Sequence, residues 1–588
     1  MRRTLTLAIA AFAAACGSAR APETAPPPSP EARAAGGAVL RGAPAIPSTW
    51  TLQAAPVTAP RAMVVSAHPL ASAAGVEILQ QGGNAMDAAV AVGFALAVVL
   101  PDAGNIGGGG FIVYRDARGG VRAIDYRETA PAGASRDMYV DSAGNVTDES
   151  ITGHRAAGVP GSVAGMHEAW KRHGSLPWGA LLAPAIRLAA AGHRIDAERS
   201  GDIAFDADRL ARFPASQRQF LPGGHAPAAH TIWKQPDLAG TLQLLSDSGP
   251  NVFYRGQIAD LIVAEMQRGG GLITKDDLRR YRAKWRTPIQ VRYRGYKIYS
   301  MPPASSGGVT MGQILNIMEG YDTLPAFGAP GYAHLLTEAM RRAFIDRNRW
   351  LGDPDFVKMP LGRLLSKSYA AQLRAQIDPS RATPTPAHTA GGGGGTHTTH
   401  YSIVDARGNA ASVTTTLNGG FGSAVTVTGA GFLLNNEMDD FTSAPGQPNM
   451  YGLVQGEANA IAPGKRMLSA MTPSIVLDQK GQLMMVVGTP GGPTIITSVA
   501  QVILNVLDHG MTLADAVAAP RVHHQALPDV IRYERGGLTD EAVSALRAMG
   551  HEVDMRRGTS GTVAAIRRIA GGWVGVADPR SAGGALGY

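Results

Sequence analysis

Residues 391–402 read Gly-Gly-Gly-Gly-Gly-Thr-His-Thr-Thr-His-Tyr-Ser, and the interpretation of the whole chain depends on this stretch. Before it, Ala85 to Val99 has apolar residues at helical spacing after Asn84, a predicted N-cap, and residues 160–390 are mostly of helical pattern, interrupted by strand-like alternation over Ile289 to Tyr299. After it come strand-like segments joined by glycine-containing turns, and helical patterns return over Pro493 to His509 and Asp540 to Met549. The strand-like segments are Thr399 to Asp405, Ala410 to Leu417, Ser474 to Leu477 and Leu483 to Gly488. A helical part, a glycine-rich break and then strands with helices predict stacked α and β layers.

The break has a chemical meaning because it leads directly into a threonine that opens a strand. A threonine hydroxyl is a weak nucleophile at neutral pH. If self-cleavage makes that threonine a chain terminus, its own α-amine, with an ordinary pKa of about 7.7 to 8.0, can take the hydroxyl proton. Spacing alone leaves Thr396, Thr398 and Thr399 as candidates for this role.

The composition excludes several classes of protein. Hydrophobic residues make up 45% and charged residues 17% of the 588 residues, which excludes a wholly disordered chain and a coiled coil. The formal net charge of +8 is scattered and not gathered into basic runs with aromatic residues, so no nucleic-acid partner is expected. The single cysteine, Cys16, excludes a disulfide framework and a cysteine-ligated metal site.

Residues 1–21 have the layout of an export signal, with two arginines before an apolar stretch from Leu5 to Ala15. Ala13-Ala14-Ala15-Cys16 resembles a loose bacterial lipobox, in which Cys16 would be acylated. Ala19-Arg20-Ala21 fits ordinary secretion instead, although Pro22 directly after it would hinder that cleavage. We predict export to the periplasm, with anchoring to the outer membrane through an acylated Cys16; a freely secreted form is the alternative.

The rest of the chain divides into three parts. Residues 22–48, rich in Pro, Ala and Gly, cannot bury enough apolar surface to fold and are predicted to be a disordered tether. Residues 49–397 would form a large part that ends in the flexible glycine-rich segment, and residues 398–588 a smaller part that begins at the threonine.

A second glycine-rich stretch, Gly107-Gly108-Gly109-Gly110, runs into the apolar segment Phe111 to Tyr114. Such glycines let the backbone approach a neighbour closely, and a phosphate is one candidate. No Lys-Ser/Thr pair follows, and no Gly-x-Gly-x-x-Gly pattern leads into a helix. Close packing against protein is therefore the favoured interpretation.

Taken in order along the chain, a set of short strings resembles the γ-glutamyltranspeptidase (glutathione hydrolase) family of the N-terminal-nucleophile hydrolase superfamily. The strings are Gly82-Gly83-Asn84-Ala85, Asn105 to Phe111, Asp125-Tyr126-Arg127-Glu128, Gly352 to Phe356, Thr398 to Ser402, Thr416-Leu417-Asn418, Leu434 to Phe441, Leu468 to Met471, Pro490-Gly491-Gly492 and Ala519 to Gln525. The match extends from about residue 50 to Tyr588. It implies a four-layer αββα sandwich, of the α+β class, formed jointly by two subunits cut from one precursor, which pair as a heterodimer.

The resemblance also assigns catalytic roles by position. It makes Thr398 the nucleophile and the His397–Thr398 bond the processing site. Thr416 matches the threonine that positions the nucleophile. Gly491 and Gly492 match the backbone amides of an oxyanion hole, where losing one donor typically lowers the rate about 10²- to 10³-fold.

The same comparison assigns residues to a γ-glutamyl donor, whose α-carbon carries a carboxylate and an ammonium group. Arg127 matches the arginine that pairs with the carboxylate, a task suited to its planar fork. Ser469 would add a hydroxyl donor. Asp440, with Glu437 and Asn418, would receive the ammonium group.

One departure from the family concerns this pocket. The family usually has two serines before the methionine, and here the second is Ala470, so one neutral hydrogen bond to the carboxylate, worth about 0.5 to 1.5 kcal/mol, is expected to be absent. Cephalosporin acylases of the same superfamily are the alternative, because they cleave glutaryl amides that lack the ammonium group. With a glutaryl substrate, Asp440 would have no partner, so the presence of Asp440 favours γ-glutamyl chemistry.

Tyr451, within Pro445 to Gly452, matches a lid loop of the family.

Other candidate sites are weaker. Ala304 to Gly308 imitates a hydrolase nucleophile elbow, but the prolines before it do not fit the strand-turn-helix setting. The pairs His397/His400 and His523/His524 lack a third ligand at a recognisable spacing, so no metal and no cofactor are predicted.

The expected reaction is cleavage of glutathione and related γ-glutamyl amides, with water or an amino acid or peptide as acceptor. A non-catalytic surface lipoprotein is the alternative from another class.

Overall fold

The computed structural model describes residues 52–385, 398–444 and 446–588. The predicted signal and tether, the five consecutive glycines, His397 and Pro445 lie outside the described residues. Among the helices of the described ranges, none combines the length and the apolar character needed to cross a bilayer.

The strands of the described chain are β1 (Val57–Ala59), β2 (Met63–Ser66), β3 (Gly109–Arg115), β4 (Val121–Asp125), β5 (His193–Arg194), β6 (Ile232–Trp233), β7 (Lys284–Arg286), β8 (Ile289–Tyr293), β9 (Tyr296–Ser300), β10 (Thr398–Val404), β11 (Ala410–Thr416), β12 (Ser474–Leu477), β13 (Leu483–Gly488), β14 (Val522–His523), β15 (Ile531–Tyr533), β16 (Val553–Met555), β17 (Ala564–Ile569), β18 (Gly572–Ala577) and β19 (Gly584–Gly587).

The α-helices are α1 (Pro69–Gln80), α2 (Ala85–Val99), α3 (Ser162–His173), α4 (Trp178–Ala190), α5 (Ala197–Phe205), α6 (Ala207–Ala211), α7 (Pro214–Phe220), α8 (Pro236–Ser248), α9 (Asn251–Tyr254), α10 (Gln257–Gly269), α11 (Lys275–Arg280), α12 (Gly307–Glu319), α13 (Pro330–Trp350), α14 (Leu361–Leu364), α15 (Lys367–Arg374), α16 (Thr494–Leu507), α17 (Leu513–Ala518) and α18 (Asp540–Ala548). Short 3-10 helices cover Asp148–Ser150, His154–Ala156, Pro222–Gly224, Glu437–Asp440 and Glu457–Asn459.

Two seven-stranded antiparallel sheets form the centre of the fold. Sheet I has the order β1-β18-β17-β13-β12-β9-β8, and sheet II has the order β19-β2-β10-β11-β3-β4-β7. Smaller sheets join β14, β15 and β16, and β5 with β6. Each large sheet combines strands from both sides of the predicted cleavage point, so the two predicted subunits build both sheets together.

Alternation along the strands produces the layers. In β3, Ile112 and Tyr114 pack into a core shared with α1, α2, α4 and α8, whereas Phe111 and Val113 belong to the core between the two sheets. Sheet I follows the same rule on its side: Val487 packs with α12, α13 and α16, and other residues of the strands face sheet II. Because successive side chains of a strand point to opposite faces, each sheet fills two cores, and the result is the predicted four-layer αββα sandwich.

Many of the predicted elements are confirmed. The helix over Ala85–Val99 begins after Asn84, whose side chain caps it in a capping box, and all of its residues are buried. Strands β12 and β13 have the predicted bounds, and β10 begins one residue earlier than its pattern suggested. Residues 160–390 are mostly helical as predicted, and the alternation over Ile289 to Tyr299 forms β8 and β9, but β5, β6 and β7 are strands that the pattern did not predict.

The Gly107–Gly110 stretch packs against backbone, as the sequence favoured. A Cβ atom at Gly108 would overlap the carbonyl oxygen of Thr416, and one at Gly110 would lie 2.5 Å from the carbonyl oxygen of Thr414. The Asn105 side chain secures the contact: its Nδ2 donates to Thr416 O over 2.9 Å, and its Oδ1 accepts from Gly108 N over 3.0 Å. These glycines therefore set how closely β3 approaches β11, and with it the position of Thr416.

This contact generates a stability prediction. Gly108→Ala forces the Thr416 backbone to move, and overpacking of this kind typically destabilises a fold by about 1 to 3 kcal/mol. Gly201→Ala in α5 is the matched control, because a Cβ atom there meets nothing within 4 Å. We expect the control to be neutral or to stabilise by up to about 1 kcal/mol. Urea unfolding followed by circular dichroism compares the two, and equal midpoints would contradict the packing argument.

Candidate active site

Pairing of β10 with β11 creates the centre of the site. Thr398, the first residue of β10, lies opposite Thr416, the last residue of β11. The Thr398 hydroxyl donates to Thr416 Oγ1 over 3.2 Å, and Asn418 N donates to the same oxygen over 2.8 Å. Thr398 is 8% exposed and lines a cavity. A threonine hydroxyl is thus held by a second threonine at the edge of a cavity.

Strand alternation separates the threonine candidates that spacing left open. Thr399 is fully buried, and its hydroxyl has no hydrogen-bond partner among the described residues. Tyr401 and Ile403, on the same side of β10 as Thr399, pack into the core between sheet II and its helices. Thr398 lies on the opposite side, toward the cavity. Thr396 lies outside the described residues.

The cavity is small, with a volume of about 20 Å³. Most of the predicted site residues line it, namely Arg127, Thr398, Thr416, Asn418, Asp440, Tyr451, Ser469 and Gly492. It is also lined by Arg347, Leu453, Leu468, Ala470, Met471, Pro493 and Ile495. Glu437 and Gly491 contact this lining from behind. Segments far apart in sequence therefore meet at one small pocket.

A buried charge cluster occupies one wall of the cavity. The Arg127 guanidinium contacts the Asp440 carboxylate directly, and its Nη1 lies 2.5 Å from Glu437 Oε2 and 3.7 Å from Glu128 Oε2. Burial raises the pKa of Glu128, Glu437 and Asp440, and the positive charge of Arg127 opposes that rise. Arg127 and Asp440 were predicted to bind opposite charges of one donor, and here they contact each other.

Two backbone contacts fix Arg127 at the end of β4. Its own N–H donates to Asp125 Oδ1 over 3.1 Å, and the Tyr281 hydroxyl donates to its carbonyl oxygen over 2.8 Å. Its Nε donates to the carbonyl oxygen of Met467, over 3.3 Å. The Arg127 backbone is therefore held by Asp125 and Tyr281, and its guanidinium by the carbonyl oxygen of Met467.

The Gly491-Gly492 turn lies at the opposite wall. Both residues have positive φ, +135° and +56°, which favours glycine. A Cβ atom at Gly492 would lie 2.8 Å from the Tyr451 ring, so only glycine fits beneath that side chain. Neither backbone N–H donates a hydrogen bond to a residue in the described ranges. The turn thus presents two amide donors, which an oxyanion hole requires.

Tyr451 covers the site from the segment that follows Asp440. Its hydroxyl donates to the carbonyl oxygen of Asn418 over 2.7 Å, and its ring packs on Gly492. Met450 N donates to Asp439 Oδ2 over 2.9 Å, which ties this segment to the 3-10 helix. The placement agrees with a lid, whose first residue, Pro445, is outside the described residues.

Ser469 and Ala470 form the wall next to Arg127. The carbonyl oxygen of Ser469 accepts from both the N–H and the hydroxyl of Ser306, over 2.8 and 2.6 Å. The Ser305 hydroxyl donates to Met471 O over 2.5 Å. The elbow-like serines are therefore structural. Ala470 lines the cavity with a methyl group where the family usually offers a hydroxyl.

Sequence reasoning missed Arg347, which lines the cavity from α13 and is 1% exposed. Five of the six charged residues of this helix are buried, namely Glu338, Arg341, Arg342, Asp346 and Arg347, whereas Arg349 is exposed. In the sequence they look like the solvated face of a surface helix. The one sequence signal for their burial was the large number of charged residues in a helix that also carries the apolar residues of a core-facing side.

The histidines considered as metal ligands make protein contacts. His400 lies between the hydroxyls of Thr414 and Ser402, at 2.8 and 3.1 Å, and burial lowers its pKa to about 3. Both ring nitrogens of His523 and of His524 are likewise hydrogen-bonded. His400 is therefore neutral, and both of its ring nitrogens are occupied by hydroxyl groups.

In the described ranges, His334, Glu338 and His551 are grouped closely enough to hold a metal ion. The Glu338 carboxylate is already ion-paired with Arg341 and Arg342. Two guanidinium groups beside the third ligand disfavour a cation at this position.

Two antiparallel sheets between helical layers, with a threonine at the start of a central strand facing the site, define the N-terminal-nucleophile hydrolase class. A family model for gamma-glutamyltranspeptidase matches residues 71–588. The chain therefore belongs to the γ-glutamyltranspeptidase family.

Individual relatives agree with this assignment. The glutathione hydrolase proenzyme of Escherichia coli strain K12 is 44% identical over 532 residues, which cover 90% of this chain and 91% of that protein. The crystal structure of cephalosporin acylase from Bacillus halodurans superimposes with a TM-score of 0.82 at 29% identity, covering 92% of this chain and 98% of that chain. The Helicobacter pylori gamma-glutamyltranspeptidase structure gives 0.53 at 46% identity, covering 54% of this chain and 92% of that one.

The buried Asp439 generates a pH prediction. Its carboxylate accepts from Ser150 Oγ and Met450 N, yet burial raises its pKa to about 6, above the ordinary 3.8. A raised carboxyl pKa means that the folded state binds the proton more tightly than the unfolded chain. The ionised group therefore destabilises the fold above pH 6, and the penalty disappears as the pH falls below about 4.

Asp439→Asn should accordingly raise the free energy of unfolding at pH 8 by roughly 1 to 3 kcal/mol, reduced by any hydrogen bond that the amide cannot replace. The gain over wild type should vanish at pH 4. Asp554→Asn, at an exposed position in β16, is the control. Urea midpoints at both pH values provide the measurement, and a gain that is the same at pH 4 and pH 8 would show that ionisation is not its cause.

Proposed function

We propose that the protein is a γ-glutamyl hydrolase and transferase that cleaves itself before Thr398 and then uses Thr398 as its nucleophile. One observation carries this proposal: the Thr398 hydroxyl lies in the same cavity as the Arg127–Asp440 pair. A pocket lined by a nucleophile and by two opposite charges suits a donor that has a cleavable amide and an α-carbon with both a carboxylate and an ammonium group. Glutathione is the simplest such donor.

The chemistry proceeds in two balanced steps. Cleavage of the His397–Thr398 bond frees the Thr398 α-amine, which takes the hydroxyl proton while Oγ1 bonds to the γ-carbonyl carbon. The Gly491 and Gly492 amides stabilise the oxyanion that forms. Collapse of this intermediate breaks the carbon–nitrogen bond, and the leaving amine receives the proton from the α-ammonium group. Water or an amino acid or peptide amine then attacks the ester carbonyl and gives its proton to the α-amine, and the acyl–Oγ1 bond breaks as that proton returns to the Thr398 oxygen.

Donor recognition follows from the charge cluster. The donor carboxylate would pair with the Arg127 fork and the Ser469 hydroxyl, and its ammonium group with Asp440, assisted by Glu437 and Asn418. Each partner then exchanges the Arg127–Asp440 contact for one with the donor, so little new charge has to be buried without a counter-ion.

A glutaryl or cephalosporin acylase is the second candidate, and the similarity to the Bacillus halodurans acylase structure favours it. Glutaryl amides carry the carboxylate but no ammonium group, so Asp440 would remain with Arg127 alone. Ala470 weakens recognition of the carboxylate and does not distinguish the two donors. Wild-type rates on matched γ-glutamyl and glutaryl anilides separate the two functions, and faster glutaryl cleavage would support the acylase.

Self-cleavage gives the most direct test. The purified protein should contain two chains, with the smaller one covering residues 398–588 and beginning Thr-Thr-His-Tyr. Thr398→Ala should remain one chain and should not hydrolyse γ-glutamyl anilides, because it has no hydroxyl. Thr399→Ala is the matched control and should still mature. Denaturing electrophoresis with terminal sequencing provides the readout; a different N-terminus or an intact active chain would refute the proposal.

We infer from the sequence that the protein is exported and held at the outer membrane by a lipid on Cys16, with free periplasmic release as the alternative. The support is the arrangement of the basic start, the apolar stretch and the single cysteine directly after it. Gly17, and not an aspartate, follows the cysteine, and this is the reason for proposing the outer membrane. All of these residues are outside the described ranges.

Membrane attachment is testable in cells. The wild-type protein should partition into detergent phase and incorporate labelled fatty acid, because acyl chains add a large apolar surface. Cys16→Ser should lose both properties. Mass spectrometry that finds a mature N-terminus at Pro22 would establish free export in place of the lipid anchor.

A further inference from the structure

Arg347 is a buried cation in the proposed active site to which the reaction assigns no role. It belongs to α13, is 1% exposed and lines the same cavity as Thr398. In the part of the chain that the structure describes, it forms no ion pair with a carboxylate; the charge that acts on it most is the nearby Asp440. Burial lowers its pKa only to about 10, so the group is charged at neutral pH.

The Arg347 guanidinium joins the two segments that carry the donor-binding residues. Its Nε donates to Ser306 Oγ over 3.0 Å, and the Ser306 hydroxyl donates in turn to the carbonyl oxygen of Ser469 over 2.6 Å. Its Nη1 donates to Gln455 Oε1 over 3.0 Å, and Gln455 Nε2 donates to the carbonyl oxygen of Asp440 over 3.0 Å. Each of these two hydrogen-bond paths passes through one intermediate side chain, Ser306 or Gln455.

The two terminal nitrogens of the Arg347 guanidinium, Nη1 and Nη2, differ in their hydrogen bonds. Nη1 also donates to Asn348 Oδ1 over 2.8 Å, whereas Nη2 makes no hydrogen bond to a described residue. A buried guanidinium without a paired carboxylate is costly, so its retention calls for a compensating role. That role is electrostatic: Arg347 places a positive charge next to a carboxylate that must stay ionised.

We propose that Arg347 is a positioning residue for donor selectivity, which links the Asp440 and Ser469 segments and places a second positive charge beside the Asp440 carboxylate, so that this carboxylate receives the α-ammonium group. The inference rests on the proposed γ-glutamyl function. When the donor carboxylate engages Arg127, Asp440 loses part of its first counter-ion. Arg347 then supplies the remaining positive charge on the protein side.

The proposal makes the two donor classes respond differently. γ-Glutamyl and glutaryl anilides share the carboxylate and differ in the ammonium group that Asp440 would bind. Removal of Arg347 should therefore weaken use of the γ-glutamyl donor selectively. If Arg347 instead bound the carboxylate directly, or only supported the fold, both donors would lose activity equally.

The test uses the mature two-chain enzyme with γ-glutamyl-p-nitroanilide and glutaryl-p-nitroanilide. Arg347→Gln should lower kcat/KM for the γ-glutamyl donor about tenfold or more and for the glutaryl donor by less than about threefold, as expected when a charge-assisted contact is lost. Arg349→Gln is the matched control, since Arg349 is exposed on the same helix and the charge change is identical. It should leave both values unchanged.

A pH profile supplies a readout that a purely structural role would not move. Asp440 is faced by Arg127, Glu437, Glu128, Asp439 and Tyr451, and all of these remain in the variant. Loss of the Arg347 charge should raise the pKa of Asp440, so the acid limb of kcat/KM for the γ-glutamyl donor should shift to higher pH. Arg347→Lys, which retains the charge, should keep the limb near its wild-type position.

The possible results distinguish failure of the proposed γ-glutamyl function from failure of the proposed role of Arg347. A wild-type enzyme without activity on the γ-glutamyl anilide would refute the proposed function. An active wild type whose Arg347→Gln variant loses both donors equally, with an unmoved acid limb, would overturn the role of Arg347 alone. If Arg347→Gln does not mature, Arg347→Lys, which keeps the charge but cannot make both linking hydrogen bonds, is compared on the same two donors: a selective loss of roughly threefold or more for the γ-glutamyl anilide with an unmoved acid limb supports the inference, and equal losses overturn it.

Discussion

The antiparallel pairing of β10 with β11 is the constraint on which the rest of the structure depends. Every residue of both strands is buried, with sheet I on one side and helices on the other. A shift of one residue would turn the polar row of Thr398, His400 and Ser402 toward the helices and place Tyr401 between the sheets. Such a shift exchanges the two faces completely, so the register that places Thr398 beside Thr416 is strongly specified.

The second constraint is electrostatic. Arg127 and three carboxyl groups are buried together, and such charges are tolerated only when they are paired and hydrogen-bonded. Under the proposed function, a ligand with both charges on one carbon would replace the Arg127–Asp440 ion pair by two equivalent pairs. Arg347 adds a second positive charge to the lining of the same cavity.

The fold also explains how a chain can be cut inside its centre and remain assembled. Strands from before and after the proposed cleavage point alternate in both large sheets, with β2 beside β10 and β3 beside β11. Separating the two parts would break both sheets and expose the three cores between the layers. Cleavage at Thr398 would therefore release a reactive terminus without releasing a subunit.

The sequence by itself determined the elements and the family. Short apolar runs bounded by turns predicted β12 and β13 to the residue, and an apolar stretch that follows the N-cap residue Asn84 predicted α2. The ordered strings from Asn84 to His524 predicted the fold and the residues of the site. Local patterns contain this information because they reflect which face of each element must be buried.

Only the tertiary structure decided what depends on distance. It separated Thr398 from Thr399 by the face each side chain occupies, and it placed Arg127 in contact with Asp440, 313 positions along the chain. It also moved Arg347 from an apparent surface helix into the active-site wall. The physical reason is that burial and electrostatic pairing arise between segments remote in sequence, and charged residues at helical spacing have the same pattern whether water or a pocket covers them.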